Sequence, residues 1–131
     1  MIAVIVEDER DQRNSVRDAL EGAGWTVELA EDGIAALGRI RRVEPDVILL
    51  DLRMPHLDGI EMLKMLRSGG AGREIPVIVT TGMKEVDPSV RLLADYVLVK
   101  PFGSDELAVA LASCASRHST RDASVSTGGR C

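Results

Sequence analysis

At four places in this chain a short apolar run ends in side chains able to do chemistry together. Glu7 and Asp8 come directly after Ile2-Ala3-Val4-Ile5-Val6, and Asp51 directly after Val47-Ile48-Leu49-Leu50. Thr81 follows Val77-Ile78-Val79-Thr80, and Lys100 follows Tyr96-Val97-Leu98-Val99. Runs of this length suit buried strands and are too short for helices. If these strands are neighbours in one parallel sheet, the groups at their exits meet in the crevice where open α/β sheets bind ligands. Three carboxylates crowded there would raise one another's pKa unless a cation intervened. A few oxygen ligands open to water suit Mg²⁺ better than zinc. With a hydroxyl from Thr81 and an ammonium from Lys100 added, the set suits a phosphoryl group carried on Asp51. Asp51 would be the nucleophile, and the metal and Lys100 would offset charge on the transferring oxygens.

The elements between these exits have to bring them together. Val16, Ala19, Leu20 and Ala23 recur at helical spacing, and Gly22 or Gly24 ends that helix. Residues 25–29 alternate and read as a second strand. Ile34, Leu37 and Ile40 mark a helix that stops before Pro45, and Leu57, Ile60, Leu63 and Leu66 mark another that stops at Gly69-Gly70-Ala71-Gly72. A short helix covers Pro88 to Ala94. Ser104 caps a last one, whose Leu107, Leu111 and Cys114 face inward. The pattern is five β-then-α units with no repeat and no internal linker, which implies an α/β fold with a parallel sheet covered by helices on both faces. From about Arg117 the composition turns to Ser, Thr, Gly and Arg. Residues 1–116 therefore read as the domain and 117–131 as a mobile tail or linker stub.

Composition narrows the classes of function. The 131 residues are enough for one domain with a real core, and at 2% aromatic content that core is built from Val, Ile, Leu, Met and Ala. No apolar run is long enough to span a membrane, and the N-terminus has no secretion signal. The net charge is −5, and the tail's three Arg against one Asp leave residues 1–116 more acidic still. That balance argues against direct nucleic-acid binding. Two cysteines make no disulfide framework and fit a reducing cytoplasm. Gly69-Gly70-Ala71-Gly72 matches neither a P-loop nor a dinucleotide fingerprint. His56 and His118 have no ligand-spaced partners, so both read as solvent-exposed, and Cys131 reads as an exposed thiol.

The segments IVEDE at 5–9, LLDLRMPHLDG at 49–59, PVIVTTG at 76–82 and VLVKPF at 97–102 occur in one frame. Together they resemble the receiver domain of two-component response regulators, in particular a chemotaxis-regulator-like single receiver, over residues 2–116. The resemblance implies a flavodoxin-like five-stranded parallel sheet of order 2-1-3-4-5. It implies that Asp51 accepts phosphate from the phosphohistidine of a sensor histidine kinase or phosphotransfer protein. Glu7, Asp8 and Asp51 would hold Mg²⁺ with the backbone carbonyl of Arg53. Thr81 would be the switch hydroxyl, with Thr80 the last residue of its strand. Lys100 would contact the phosphoryl group and precede a cis Pro101. A downstream protein target would read the state, and the lifetime of the phosphoryl group would depend on Arg53 and Met83, two residues past the acceptor and the switch hydroxyl.

Two departures from the family pattern bear on signalling. The stretch from Thr81 to Lys100 is about one helical turn short and lacks the usual Gly before the fifth strand. The position three before Lys100, usually aromatic, is Val97, while Tyr96 beside it should point to the opposite face. Two other classes compete. One is a small Mg²⁺-dependent phosphatase with an Asp nucleophile, which would want an acid where Arg53 stands. The other is a receiver-like binding scaffold that is never phosphorylated, which the intact Asp8, Asp51, Thr81 and Lys100 speak against.

Overall fold

The computed structural model describes residues 1–53, 58–69, 74–83 and 85–123, with 115–123 as helix backbone alone. The chain alternates β1 (Ile2–Val6), α1 (Arg10–Gly22), β2 (Thr26–Ala30), α2 (Gly33–Val43), β3 (Val47–Asp51), α3 (Gly59–Arg67), β4 (Val77–Thr81), α4 (Pro88–Leu93), β5 (Tyr96–Val99) and α5 (Ser104–Ala123). The strands form one parallel sheet of order β2-β1-β3-β4-β5. This is the doubly wound, flavodoxin-like arrangement expected, and β1, β3 and β4 are its interior strands, which explains their largely apolar runs.

Side chains leave a strand alternately to its two faces, so each strand feeds two cores. One holds Val4, Val6, Ile48, Leu50, Val77 and Val79 against Ala36 and Ile40 of α2, Met62, Leu63 and Leu66 of α3, and Val90 of α4. The other holds Ala3, Val47, Leu49, Ile78 and Leu98 against Leu20 of α1 and Leu107, Ala110, Leu111 and Cys114 of α5. Val97 packs with the first set and Tyr96 with the second, on opposite faces as the strand period requires.

Several local readings shift by a residue or a face. The inward residues of α2 are Gly33, Ala36 and Ile40, and Ile34 is 70% exposed. Gly33, Ala36 and Ile40 recur at i, i+3 and i+7 on the face of α2 turned to the sheet, and Ile34 falls off that face. Thr81 rather than Thr80 ends β4, because the ladder to β5 continues through Lys100 N–H donating to Thr81 O at 2.7 Å. The cap of α5 is Gly103 rather than Ser104: Glu106 Oε1 reaches back to accept from the Gly103 N–H, while Gly103 O accepts from Leu107 N–H. That is the reciprocal half of a capping box, with the acid supplying the bond. The backbone of α5 also continues helically past 117 to Ala123, so the change of composition there does not coincide with the end of the helix. Leu57, His56, Gly70-Ala71-Gly72, Cys131 and the side chain of His118 lie outside the described residues.

Candidate phosphoryl and cation site

β1, β3 and β5 all end at the same edge, and their parity decides which exit groups share a side. Ala3 on β1, Leu49 on β3 and Leu98 on β5 face α1 and α5. Counting on by twos puts Glu7, Asp51 and Lys100 on that side as well. The structure brings them into contact there: Lys100 Nζ lies 3.1 Å from Asp51 Oδ2 and 3.2 Å from Glu7 Oε1. Both carboxylates are almost wholly buried, and Lys100 is partly so. Asp8, from the loop between β1 and α1, is exposed, yet one oxygen from each of Glu7, Asp8 and Asp51 lies within 4.8 Å of the other two.

The electrostatics follow from this crowding. Burial pushes the Glu7 carboxyl up to about 7, and the adjoining Asp51, through hydrogen bonding and charge, adds to the rise against the pull of Lys100. Burial works against the Lys100 ammonium, but the charges of Glu7 and Asp51 outweigh it and hold the lysine above its ordinary value. Two acids therefore share one resident cation, and a further positive charge would relieve the Glu7–Asp51 repulsion.

The oxygen set fits a small hard divalent cation. Ligands at about 2 Å from an ion stand at most about 4 Å apart across it, close to the spread of these three oxygens. No soft ligand lies among them, which excludes the tetrahedral thiolate and imidazole sets typical of structural zinc.

Backbone contacts orient the rest. Asp51 Oδ1 accepts from the Arg53 N–H at 3.0 Å, so each carboxylate oxygen has its own donor. Glu7 Oε2 accepts from the Glu9 N–H at 3.3 Å. Thr81 is buried, and its hydroxyl accepts from the Met83 N–H at 3.1 Å instead of bonding to the acidic cluster. Its neighbour Thr80, the register partner of Asp51, lines a cavity of about 10 Å³ with Glu7, Gln12 and Lys100. The Lys100–Pro101 peptide is cis.

Two supporting residues escaped the sequence reading. Gly59 begins α3, where a Cβ would stand 2.5 Å from Leu52 Cα and 2.8 Å from Asp51 O, so only glycine lets the helix start against the acceptor's own backbone. Gly59 closes the LLDLRMPHLDG segment in the sequence, but nothing there discloses the contact. The second is Arg13, whose guanidinium reaches back to Glu7 O at 3.0 Å. Nothing in local spacing distinguishes it from Arg10 or Arg17.

This fold and this cluster match a known class. A model of the response regulator receiver domain matches residues 3–112. The response regulator MprA of Mycobacterium tuberculosis (strain H37Rv) is 39% identical over 126 residues, covering 94% of this chain and 54% of that protein. MprA of Mycobacterium sp. (strain KMS) is 42% identical over 107 residues, covering 79% of the chain and 46% of that protein. Among solved structures, the Francisella response regulator 1452 receiver domain superposes with a TM-score of 0.80 at 29% identity, covering 88% of this chain and 97% of that one. A CheY-like receiver domain from Methylobacillus flagellatus gives 0.81 at 25% identity, covering 87% and 98%. The chain belongs to the response regulator receiver domain family. It is a phosphorylation-dependent switch module of two-component signalling, and it spans about half the length of the curated relatives it matches.

Proposed function

We propose that Asp51 is the phosphoacceptor and that Glu7, Asp8 and Asp51, with the backbone carbonyl of Arg53, hold the Mg²⁺ the transfer requires. The donor is the phosphohistidine of a sensor histidine kinase or phosphotransfer protein. An Asp51 carboxylate oxygen attacks phosphorus in line, the P–N bond to the donor imidazole breaks, and the imidazole leaves with the bonding pair. The bound metal supplies charge neutralisation for the phosphoryl oxygens. Asp51 is held for attack by the Arg53 N–H on one oxygen and Lys100 on the other. Lys100 exchanges its contact with the carboxylate for one with the incoming phosphoryl group, and the Thr81 hydroxyl leaves Met83 to donate to that group. The chemistry is the domain's own, with slow self-dephosphorylation, and a downstream protein target reads the result. Residues 1–116 form the switching unit, and 117–131 serve as a tail or linker stub.

The observation that carries this reading is the Lys100 ammonium seated between Asp51 and Glu7 at 3.1 and 3.2 Å, beside a third carboxylate. Incubation with Mg²⁺ and a small acyl phosphate is expected to add one phosphoryl group by intact mass. Asp51→Asn, or a chelator, is expected to abolish it. Labelling that survives either change would overturn the assignment.

A further inference from the structure

Two of the three carboxylates of the cluster, Glu7 and Asp8, come from a short connection that little regular structure holds. Residues 7–9 join β1 to α1, and the α1 N-cap, Glu9, makes no side-chain capping bond. Glu7 keeps one ladder contact, its N–H donating to Ala30 O at 3.1 Å. The carbonyls of Glu7 and Asp8 both accept from one side chain. Arg13 Nη1 donates to Glu7 O at 3.0 Å and, at a longer 3.5 Å, to Asp8 O. Arg13 closes the first turn of α1, with its own N–H bonded to Glu9 O at 2.9 Å, so the guanidinium is anchored by the helix whose entry it spans.

We propose that Arg13 is a positioning residue for the cation site: by drawing the Glu7 and Asp8 carbonyls onto one guanidinium, it holds the loop in the conformation that points both carboxylates at Asp51. This rests on the Mg²⁺ site proposed above. Two effects of removing Arg13 have opposite signs, which makes the idea testable. As a nearby positive charge, Arg13 opposes a divalent cation, so its loss alone would tighten binding. As a support for the ligands, its loss frees the loop, and each metal-binding event must then order it.

The experiment is a calorimetric titration of Mg²⁺ into the full chain, comparing wild type, Arg13→Ala, Arg13→Lys and Asp8→Asn. The expected result is weaker binding in Arg13→Ala by about tenfold, in the range for outer-sphere supports of metal ligands. Arg13→Lys should fall between, since one ammonium keeps the charge and can hold one carbonyl. Amide exchange at Asp8 and Glu9, measured in chelator, should quicken in Arg13→Ala while the strand amides of β3 and β4 stay protected. Unchanged or tighter Mg²⁺ binding by Arg13→Ala, with wild type binding and Asp8→Asn impaired, overturns the positioning role and leaves the site standing. No uptake by wild type, or none lost in Asp8→Asn, overturns the site and the inference together.

Discussion

Asp95 and Arg67, far apart in sequence, form an ion pair of 2.6 Å whose side chains are only 1% and 7% exposed. The same Asp95 Oδ2 accepts from the Val77 N–H at 2.8 Å, and Asp95 N–H donates to Val77 O at 2.9 Å. Arg67 spends its other donors on Leu93 O at 2.9 Å and Ile75 O at 2.7 Å. One guanidinium at the end of α3 thus ties the end of α4 and the entries of β4 and β5, at the edge of the sheet remote from Asp51. Truncating one partner of a buried pair strands the other charge, so Arg67→Ala is expected to destabilise by about 3–5 kcal/mol. Urea unfolding of Arg67→Ala, Asp95→Ala and the double variant tests this. Additive losses would mean the two side chains do not act as a pair.

That tie also localises the expected response to phosphorylation. α4 has six residues, begins with Pro88 behind an Asp87 cap on Ser89, and buries only Val90. A helix so short has little stability of its own. Its C-terminal end is pinned through Leu93 O, while its N-terminal approach follows directly on Thr81. Val97, packed in the α2–α4 core and stiff about χ1, has no ring to rotate. A phosphoryl mimic is therefore expected to change amide exchange most over Gly82, Met83 and 85–90 and to fade toward Asp95, with no need for Val97→Tyr. Change confined to α1 would show that the signal leaves by another face.

Glu7 should leave a mark on the pH dependence of stability when no divalent cation is present. Its carboxyl titrates near 4.5 in the unfolded chain and about 7 in the fold, so the unfolded state ionises first as pH rises. The stability contribution is full below about 4.5 and is lost by about 7. In chelator, the urea midpoint is expected to fall over that window, and Glu7→Gln is expected to flatten the fall. Parallel curves for the two proteins would remove Glu7 as the cause.

The lifetime of the phosphorylated state depends on how water approaches in line. Arg53 and Met83 bond to Asp51 and Thr81 through their N–H groups, so their backbones lie beside the acceptor and the Thr81 hydroxyl. Neither offers a carboxylate or amide to orient a water. Slow loss of the phosphoryl group is expected, and Arg53→Asn combined with Met83→Glu should hasten it by roughly tenfold or more. Equal decay in a phosphate-release assay would count against the role of these positions.

Gly59 gives a steric test. Gly59→Ala would put a Cβ against Leu52 and the Asp51 carbonyl, and neither backbone atom can give way cheaply. Loss of a few kcal/mol of stability is expected, of the size seen for overpacking. Acyl-phosphate labelling should fall with it, because the displaced backbone carries the acceptor. Wild-type labelling in a folded Gly59→Ala protein would separate the contact from the chemistry.

Much of this site was legible in the chain because it rests on local order. Apolar runs of strand length, each ending in a polar residue, state which groups lie at strand exits. The two-residue period of a strand then assigns Glu7, Asp51 and Lys100 to one side, and Tyr96 and Val97 to opposite sides. What the tertiary structure decided depends on distance in space that no spacing encodes. Ile34 matches the helical period as well as Ala36 does, but the way α2 is turned against the sheet buries Ala36 and leaves Ile34 exposed. Arg67 and Asp95 lie on different elements, so nothing local pairs them until α3, β4 and β5 come together. Arg13 looks like any arginine of a solvated helix, and its value comes from two carbonyls that turn toward it only when β1 ends and α1 begins as they do. The Thr81 hydroxyl, singled out through the PVIVTTG segment, accepts from a backbone N–H, a bond set by the turn after β4 rather than by residue type.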